Sequence, residues 1–399
     1  MKTLKITLIA ILIGIALVLI TMLTVCLSGG SIRIGNFFFS PESFEINNSW
    51  SAGGTVYPEC SLVLEQEIPA EGINSLNINY SMNSNDVIFR EGAEGTITIR
   101  EYMNFTPSAN QISTINQKNG ELTITGKNRN RFHFFSLPGR VGYTEIFLPP
   151  NLAVSLKVRT VSGDIFSDVA IPQCAHFNVS STSGDIYFPS AAADDLQASS
   201  TSGDVCIQEA SGNSILLSTT SGDLKMETAD ADQIQISTTS GYISCGQLSG
   251  QISMSSTSGD IRILSGTGNT KANSVSGDIM VDDISGDFKL NTTSGEISLN
   301  EGTGFGKANS VSGDIRIFLK ELTGNLNIGT TSGEVSLTLP ENASFYLDFD
   351  STSGECNTFF DDNLSFNKRG TQAEGQYGSD GSTRLKISTV SGDLRILKY

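Results

Sequence analysis

Beyond residue 160 the chain alternates apolar and variable positions in short bursts, as in Ile186-Tyr187-Phe188, Ile261-Arg262-Ile263, Ile279-Met280-Val281, Ile315-Arg316-Ile317 and Leu394-Arg395-Ile396. A period of two marks strands with one buried face. Each burst follows one phrase, Thr/Val-Ser-Gly-Asp/Glu, whose serines are Ser162, Ser183, Ser202, Ser221, Ser240, Ser258, Ser276, Ser294, Ser312, Ser332, Ser353 and Ser391. The intervals are 21, 19, 19, 19, 18, 18, 18, 18, 20, 21 and 38 residues, the last being two periods. A fixed period near 20 signals stacked repeats, each burying its apolar side against its neighbours. Halfway round, a second small-residue turn recurs at Ser211-Gly212, Ser249-Gly250, Thr267-Gly268, Ser285-Gly286, Thr303-Gly304 and Thr323-Gly324. One coil therefore reads strand, turn, strand, turn.

Glycine suits such turns because it adopts positive φ without steric cost, while Ser, Thr and Asp side chains bond nearby backbone groups. Equivalent residues of successive coils sit about 4.8 Å apart, which predicts an internal aliphatic stack and hydrogen-bonded Thr and Ser ladders. At about 19 residues per coil, residues 61–399 would form roughly 18 coils and a rod on the order of 85 Å long. Both ends of such a rod need covers.

The expected fold class is all-β, a β-solenoid of about 18–21-residue coils, preceded by one N-terminal transmembrane helix. Residues 61–160 read as irregular N-terminal coils and cap, with alternation at Leu76-Ile78-Tyr80, Ile97-Ile99, Leu122-Ile124 and Val154-Leu156-Val158. Residues 161–356 form the regular repeat, and 357–399 a polar insert and C-terminal capping coil that closes on Leu394 to Leu397.

Ahead of the repeats, Ile6 to Leu27 is almost wholly apolar and uncharged, enough at about 1.5 Å per residue to cross a bilayer. Residues 1–5, with Lys2 and Lys5, then lie in the cytoplasm, 6–27 form the anchor, and 28–60 link it to an extracellular body. Two rivals are weaker. A cleaved signal peptide has a shorter apolar core and an Ala-x-Ala site, and lipidation at Cys26 after Leu23-Thr24-Val25 is opposed by bulky Val25. The localisation this predicts is the cell membrane, single-pass, with the repeats outside. Composition narrows the partners further: 42 acidic against 25 basic residues, a net charge of -17, argue against nucleic acid.

An apolar anchor, an irregular strand-rich lead-in and tandem units such as Ser162-Gly163-Asp164-Ile165 and Ser183-Gly184-Asp185-Ile186 resemble the bacterial DUF4097 family of β-strand-repeat, adhesin-type surface proteins. The resemblance covers roughly residues 61 to 399 and departs at Tyr242, where the acid is missing. It implies a β-solenoid on the cell surface and carries over no catalytic residues. The partners expected are the membrane, through the N-terminal helix, and a cell-wall polymer, a host or neighbouring-cell surface, or another membrane protein. The alternative role is an envelope-stress or signalling accessory contacting a membrane sensor.

The most tempting chemistry is the acidic column Asp164, Asp185, Asp204, Asp223, Asp260, Asp278, Glu296, Asp314, Glu334, Glu355 and Asp393. Calcium β-rolls bind through repeated Gly/Asp turns, and Asp164, Asp185, Asp204, Asp223, Asp260, Asp278 and Asp314 are the candidate ligands. The β-roll motif, Gly-Gly-x-Gly-x-Asp, is absent, and stacked carboxylates in water repel by only about 1 kcal/mol per pair, so a solvated, turn-capping row is the plainer reading.

A polysaccharide-acting enzyme would need two distinctive acids in a cleft, not eleven equivalent ones, and the two histidines, His133 and His176, form no catalytic motif. No catalytic residue and no cofactor are therefore assigned. Lys127, Arg129, Arg131 and Arg140, with His133 among Phe132, Phe134 and Phe135, form a candidate patch for an anionic ligand or a capping loop. Cys245 and Cys356 fall in step with inward positions, whereas Cys206 should point outward.

Overall fold

The computed structural model describes residues 32–34, 37–39, 60–81, 85–127, 142–360 and 364–399. Two units divide the chain, residues 1–56 and 57–399. In the first, Ile32–Ile34 pairs antiparallel with Phe37–Phe39. The anchor expected over Ile6–Leu27 lies outside the described residues, among which no helix is long and apolar enough to cross a membrane.

The second unit is a β-solenoid, and Val205–Ser218 shows how one coil is built. Val205, Ile207, Ala210, Ile215 and Leu217 are buried inside, and the positions between them, among them Gln208, Glu209 and Ser214 but also Cys206 and Leu216, take the outward register. Every one of these positions pairs in parallel register with the next coil, from Val205↔Leu224 to Ser218↔Ser237. The predicted second turn is therefore a corner within a continuous ladder. Glycine takes this corner with φ of 132° at Gly286, inside the continuous ladder, and with φ of 129° at Gly250, where the register shifts, and 105° at Gly268, where the strand is interrupted. A coil has three sides: a first of three residues after the Gly-Asp, a short second around Ala210, and a third of five, Ser214–Ser218, that leads into the next Ser-Gly-Asp turn.

Inside, aliphatic side chains stack coil on coil, as in Ile243, Ile261, Ile279, Ile297 and Ile315. Volume is conserved across coils. Where the second side narrows to Gly302, Leu319 fills the space, since a Cβ at Gly302 would meet its Cδ2 at 2.7 Å.

The first side is fourteen strands deep, begun by those containing Thr144, Val87, Ile165 and Ile186, continued by Val205, Leu224, Ile243, Ile261, Ile279 and Ile297, and ended by Ile315, Val335, Leu394 and Cys356. That is fewer than the roughly 18 coils expected from dividing length by period, and it makes a rod of roughly 60 Å. The difference lies at the ends, where residues are used for antiparallel covers. Thr96–Met103 covers Gly142–Leu148, Ser61–Pro69 covers Thr96–Met103, and Thr114–Lys118 covers Glu121–Thr125. At the far end Gln372–Tyr377 covers Phe345–Ser351 and is itself covered by Leu364–Phe366.

Chain order and spatial order part company at both ends. The strands Ser75–Tyr80 and Asn85–Glu91 precede Glu121–Thr125 and Gly142–Leu148 in the chain yet lie one layer inside them. Likewise Arg384–Thr389 and Leu394–Lys398 slot between the coil of Leu326 and Val335 and the coil of Leu347 and Cys356. The last coil of the sequence is thus the penultimate layer of the rod, and the outermost is the coil before it.

Candidate functional site

Two longitudinal features repeat from coil to coil and are the candidate sites: the Ser-Gly-Asp edge and the third side. Along the edge, glycine is required by close approach. A Cβ at Gly203 would lie 2.1 Å from the Gly184 carbonyl oxygen, and one at Gly222 would lie 2.0 Å from that of Gly203. Backbone thus passes backbone with no room for a side chain.

The hydroxyl that organises this edge lies two residues before the phrase serine. Thr219 Oγ1 accepts the Gly222 N–H at 3.2 Å and donates to the Gly203 carbonyl at 3.1 Å, tying its own turn to the coil below. Ser200, Thr238, Ser274, Thr292, Ser310 and Thr330 repeat the donation to a glycine carbonyl. All are buried, while the phrase residues Thr201 and Ser202 are exposed. The expected hydroxyl ladders therefore bond to glycine backbone rather than mainly to each other, because that backbone lies nearest; the Thr160–Ser181 pair, at 2.9 Å, bonds directly.

The acidic column is half-buried and engaged rather than simply solvated. Asp185 donates its N–H to Asp164 Oδ1 at 2.9 Å, Asp204 to Asp185 at 2.8 Å, Asp223 to Asp204 at 2.7 Å and Tyr242 to Asp223 at 2.8 Å. The same link joins Asp278 to Asp260 and Glu334 to Asp314. Aspartate has the reach for this bond. Glu296 and Glu334 extend outward instead and pair with Arg316 and with Arg395. Burial pushes the carboxyls of Asp164 and Asp204 up to about 6, against the lowering effect of the N–H bonds they accept, and raises Asp185 in the same way. Among the described residues, no three His, Cys, Asp or Glu side chains are grouped to hold a metal ion. Here each Asp answers to a backbone amide.

The third side carries three outward columns: the first, through Asp195, Ser214, Gln233 and Gln251 and further along Asp287 and Phe305, includes acids, and two more lie beside it. One runs Thr123, Asn77, Lys157, Asn178, Gln197, Leu216, Gln235, Ser253, Lys271, Lys289, Lys307, Asn327 and Lys386. The other runs Thr125, Asn79, Arg159, Ser180, Ser199, Ser218, Ser237, Ser255, Asn273, Asn291, Asn309, Gly329 and Ser388 over the same layers. Neither contains an acid until the outermost coil adds Asp348 and Asp350. Amide side chains link layers here, with Asn291 Nδ2 donating to Asn273 at 2.9 Å and Asn309 Nδ2 to Asn291 at 3.0 Å. A shallow groove lined by Gln235, Ser253, Lys271, Lys289 and Asp287 opens on this side. Lysines repeating at 18 residues, from 271 to 289 to 307, were the sequence signal for it.

Of the proposed anionic-ligand patch, Lys127 is described, and Arg129, Arg131 and Arg140 lie outside the described residues. Cys245 and Cys356 are buried as expected. Cys206 occupies an outward register as expected, between Tyr187 and Lys225, yet only 1% of it is exposed. A thiol is too short to clear those neighbours, and burial pushes its pKa up to about 12.

Glu101 escaped sequence reading altogether. It sits in the inward register after Ile97 and Ile99, fully buried at the N-terminal end. Ser113 donates both N–H, at 2.9 Å, and hydroxyl to it, and the Tyr80 hydroxyl lies at 3.4 Å. Tyr80 and Asn85 both reach Thr144, at 2.6 and 2.7 Å. This network joins the covers to the first coils, and a charged residue in step with buried isoleucines was the available clue.

The model of the Toastrack family DUF4097 matches residues 73–286 and 266–397. Three solved structures are similar over most of the chain. One is a "putative cell adhesion protein" from Clostridium sporogenes, at 11% identity, covering 86% of this chain and 100% of that one, with a TM-score of 0.19. Another is a "putative adhesin" from Bacteroides fragilis, at 10% identity, covering 84% and 97%, with a TM-score of 0.20. The third is a "putative lipid binding protein" from Parabacteroides distasonis, at 13% identity, covering 84% and 96%, with a TM-score of 0.23. No curated protein sequence matches the chain.

Proposed function

Because the chain belongs to the Toastrack DUF4097 family, we propose that its rod is a non-catalytic interaction surface, an adhesin or surface scaffold held outside a bacterial cell. The observation that carries this reading is the strict register of outward columns, which offers the same small contact from coil after coil. Many weak, equally spaced contacts add through multivalency, so a partner with its own repeat is held far better than any single contact would allow. The apolar run Ile6 to Leu27 would tether the rod to the membrane, with the N-terminus inside and the repeats outside.

Deletion of the gene and complementation with the full chain, scored by attachment of whole cells to a surface or to one another, tests this proposal. Attachment should fall on deletion and return on complementation. Unchanged attachment with an altered response to envelope stress would overturn it in favour of a signalling accessory.

A further inference from the structure

We infer that the third side of the rod is a docking face for a linear anionic polysaccharide laid along the axis over Lys271, Lys289, Lys307 and Lys386. Lys271, Lys289 and Lys307 are direct register partners in successive coils, and Asn327 alone separates Lys307 from Lys386. They thus occupy four of five successive layers about 4.8 Å apart, a span of roughly 19 Å.

All four are exposed, and none makes an ion pair among the described residues. Several basic residues on the other sides of the rod are paired instead. Arg262 is bound to Asp282, Arg316 to Glu296 and Asp314, Lys320 to Glu301, and Arg395 to Glu334. In a chain of net charge -17, four lysines thus make no ion pair on a column that contains no acid before Asp348, the register partner of Lys386; Asp287, two residues before Lys289, is the acid on the column beside them. Stacked at this spacing they repel one another by about 1 kcal/mol per pair in water, and a bound polyanion would relieve that repulsion.

The neighbouring column supplies the second half of the recognition. Asn273, Asn291 and Asn309 present amide groups fixed by their own ladder, and Ser237, Ser255 and Ser388 present hydroxyls. Charged and hydroxyl-binding columns side by side match a polymer that carries an acid and several hydroxyls in each unit. A bilayer surface needs no such amide row, and a duplex nucleic acid is wide enough to meet the acids of adjoining sides. The repeat of the protein and the repeat of the polymer then reinforce each other.

This inference rests on the interaction-surface reading and specifies its ligand. Full-length protein in detergent is titrated with polygalacturonate, with neutral dextran as control and with anionic phosphatidylglycerol vesicles and duplex DNA as competitors. The triple variant K271Q/K289Q/K307Q is compared with K118Q/K225Q/K368Q, which changes net charge equally elsewhere. Binding to polygalacturonate and not dextran is expected, weakened at least tenfold by the first variant, within twofold for the second, and weakened by salt. Absent binding, equal losses in both variants, or preference for vesicles or DNA would each overturn it. If cells attach through the protein yet polygalacturonate does not bind, only this inference fails; if it binds and attachment is indifferent to the gene, the interaction-surface reading fails alone.

Discussion

The middle of the rod and its two ends hold together by different means. Between Ile186 and Ile315 each coil lies on the one that follows it in the chain, through the same glycine contact, buried hydroxyl and Asp-to-amide bond. At the ends a coil is inserted between two others that are not its neighbours on both sides in sequence, and antiparallel strands close the outer layers. The middle is a local structure repeated. The ends are tertiary structures, made once each, and they set where repetition stops.

The sharpest way to break this comparison is deletion. Removing 384–399 takes away the penultimate layer, so amide protection should vanish over 345–377 as well, whereas removing one whole repeat, 261–278, should leave protection on both sides intact. Retained protection over 345–358 in the first case would refute the interlock. Next in size is Gly222→Val, whose side chain meets the Gly203 carbonyl; a loss above about 4 kcal/mol is expected, read as a lowered urea midpoint.

Glu101→Leu should cost about 2–3 kcal/mol by stranding the Ser113 N–H and hydroxyl, with faster exchange confined to the N-terminal covers and first coils. Thr219→Val should cost about 1–2 kcal/mol and Thr219→Ser much less, since only the hydroxyl satisfies both glycines. The smallest effect concerns pH. Burial pushes the folded carboxyls of Asp164 and Asp204 up to about 6, above the ordinary aspartate value of about 3.9. The folded state therefore holds the extra protons, so their contribution is full below about pH 4 and is lost as pH rises through about 6. Stability should fall across that window, and Asp204→Asn should flatten the fall by on the order of 1–2 kcal/mol in denaturation at pH 4.5 and 7.

Strand positions, the coil period and the aliphatic stack were legible because each follows from alternation and from the spacing of one phrase. The order of layers at the ends was not. Ser353 and Ser391 carry the same phrase, so a gap of 38 residues cannot reveal that the later coil lies inside the earlier one. Positive φ does hold at the second turn, at Gly250, Gly268 and Gly286, but the glycines of the Ser-Gly-Asp phrase serve another end for a related reason: positive φ is a local property, whereas the crowding of Gly203 by Gly184 comes from the next coil. Reading aspartate as a solvated charge likewise missed its bond to an amide 19 residues on. Of the third side, the lysine spacing was visible, but the acid-free columns emerge only once the register aligns Lys157 with Gln197, Ser253 and Lys271.

The inserted coil at the far end also decides how the rod answers a pull. Tension entering through Leu394–Lys398 meets hydrogen-bonded neighbours on both flanks, Val335–Leu339 and Cys356–Thr358, and must shear the two ladders together. Tension entering through Ser61–Pro69 meets one partner, Thr96–Met103, along its length. A tether drawn from the N-terminal side would strip that outer strand first, while the opposite end holds fast.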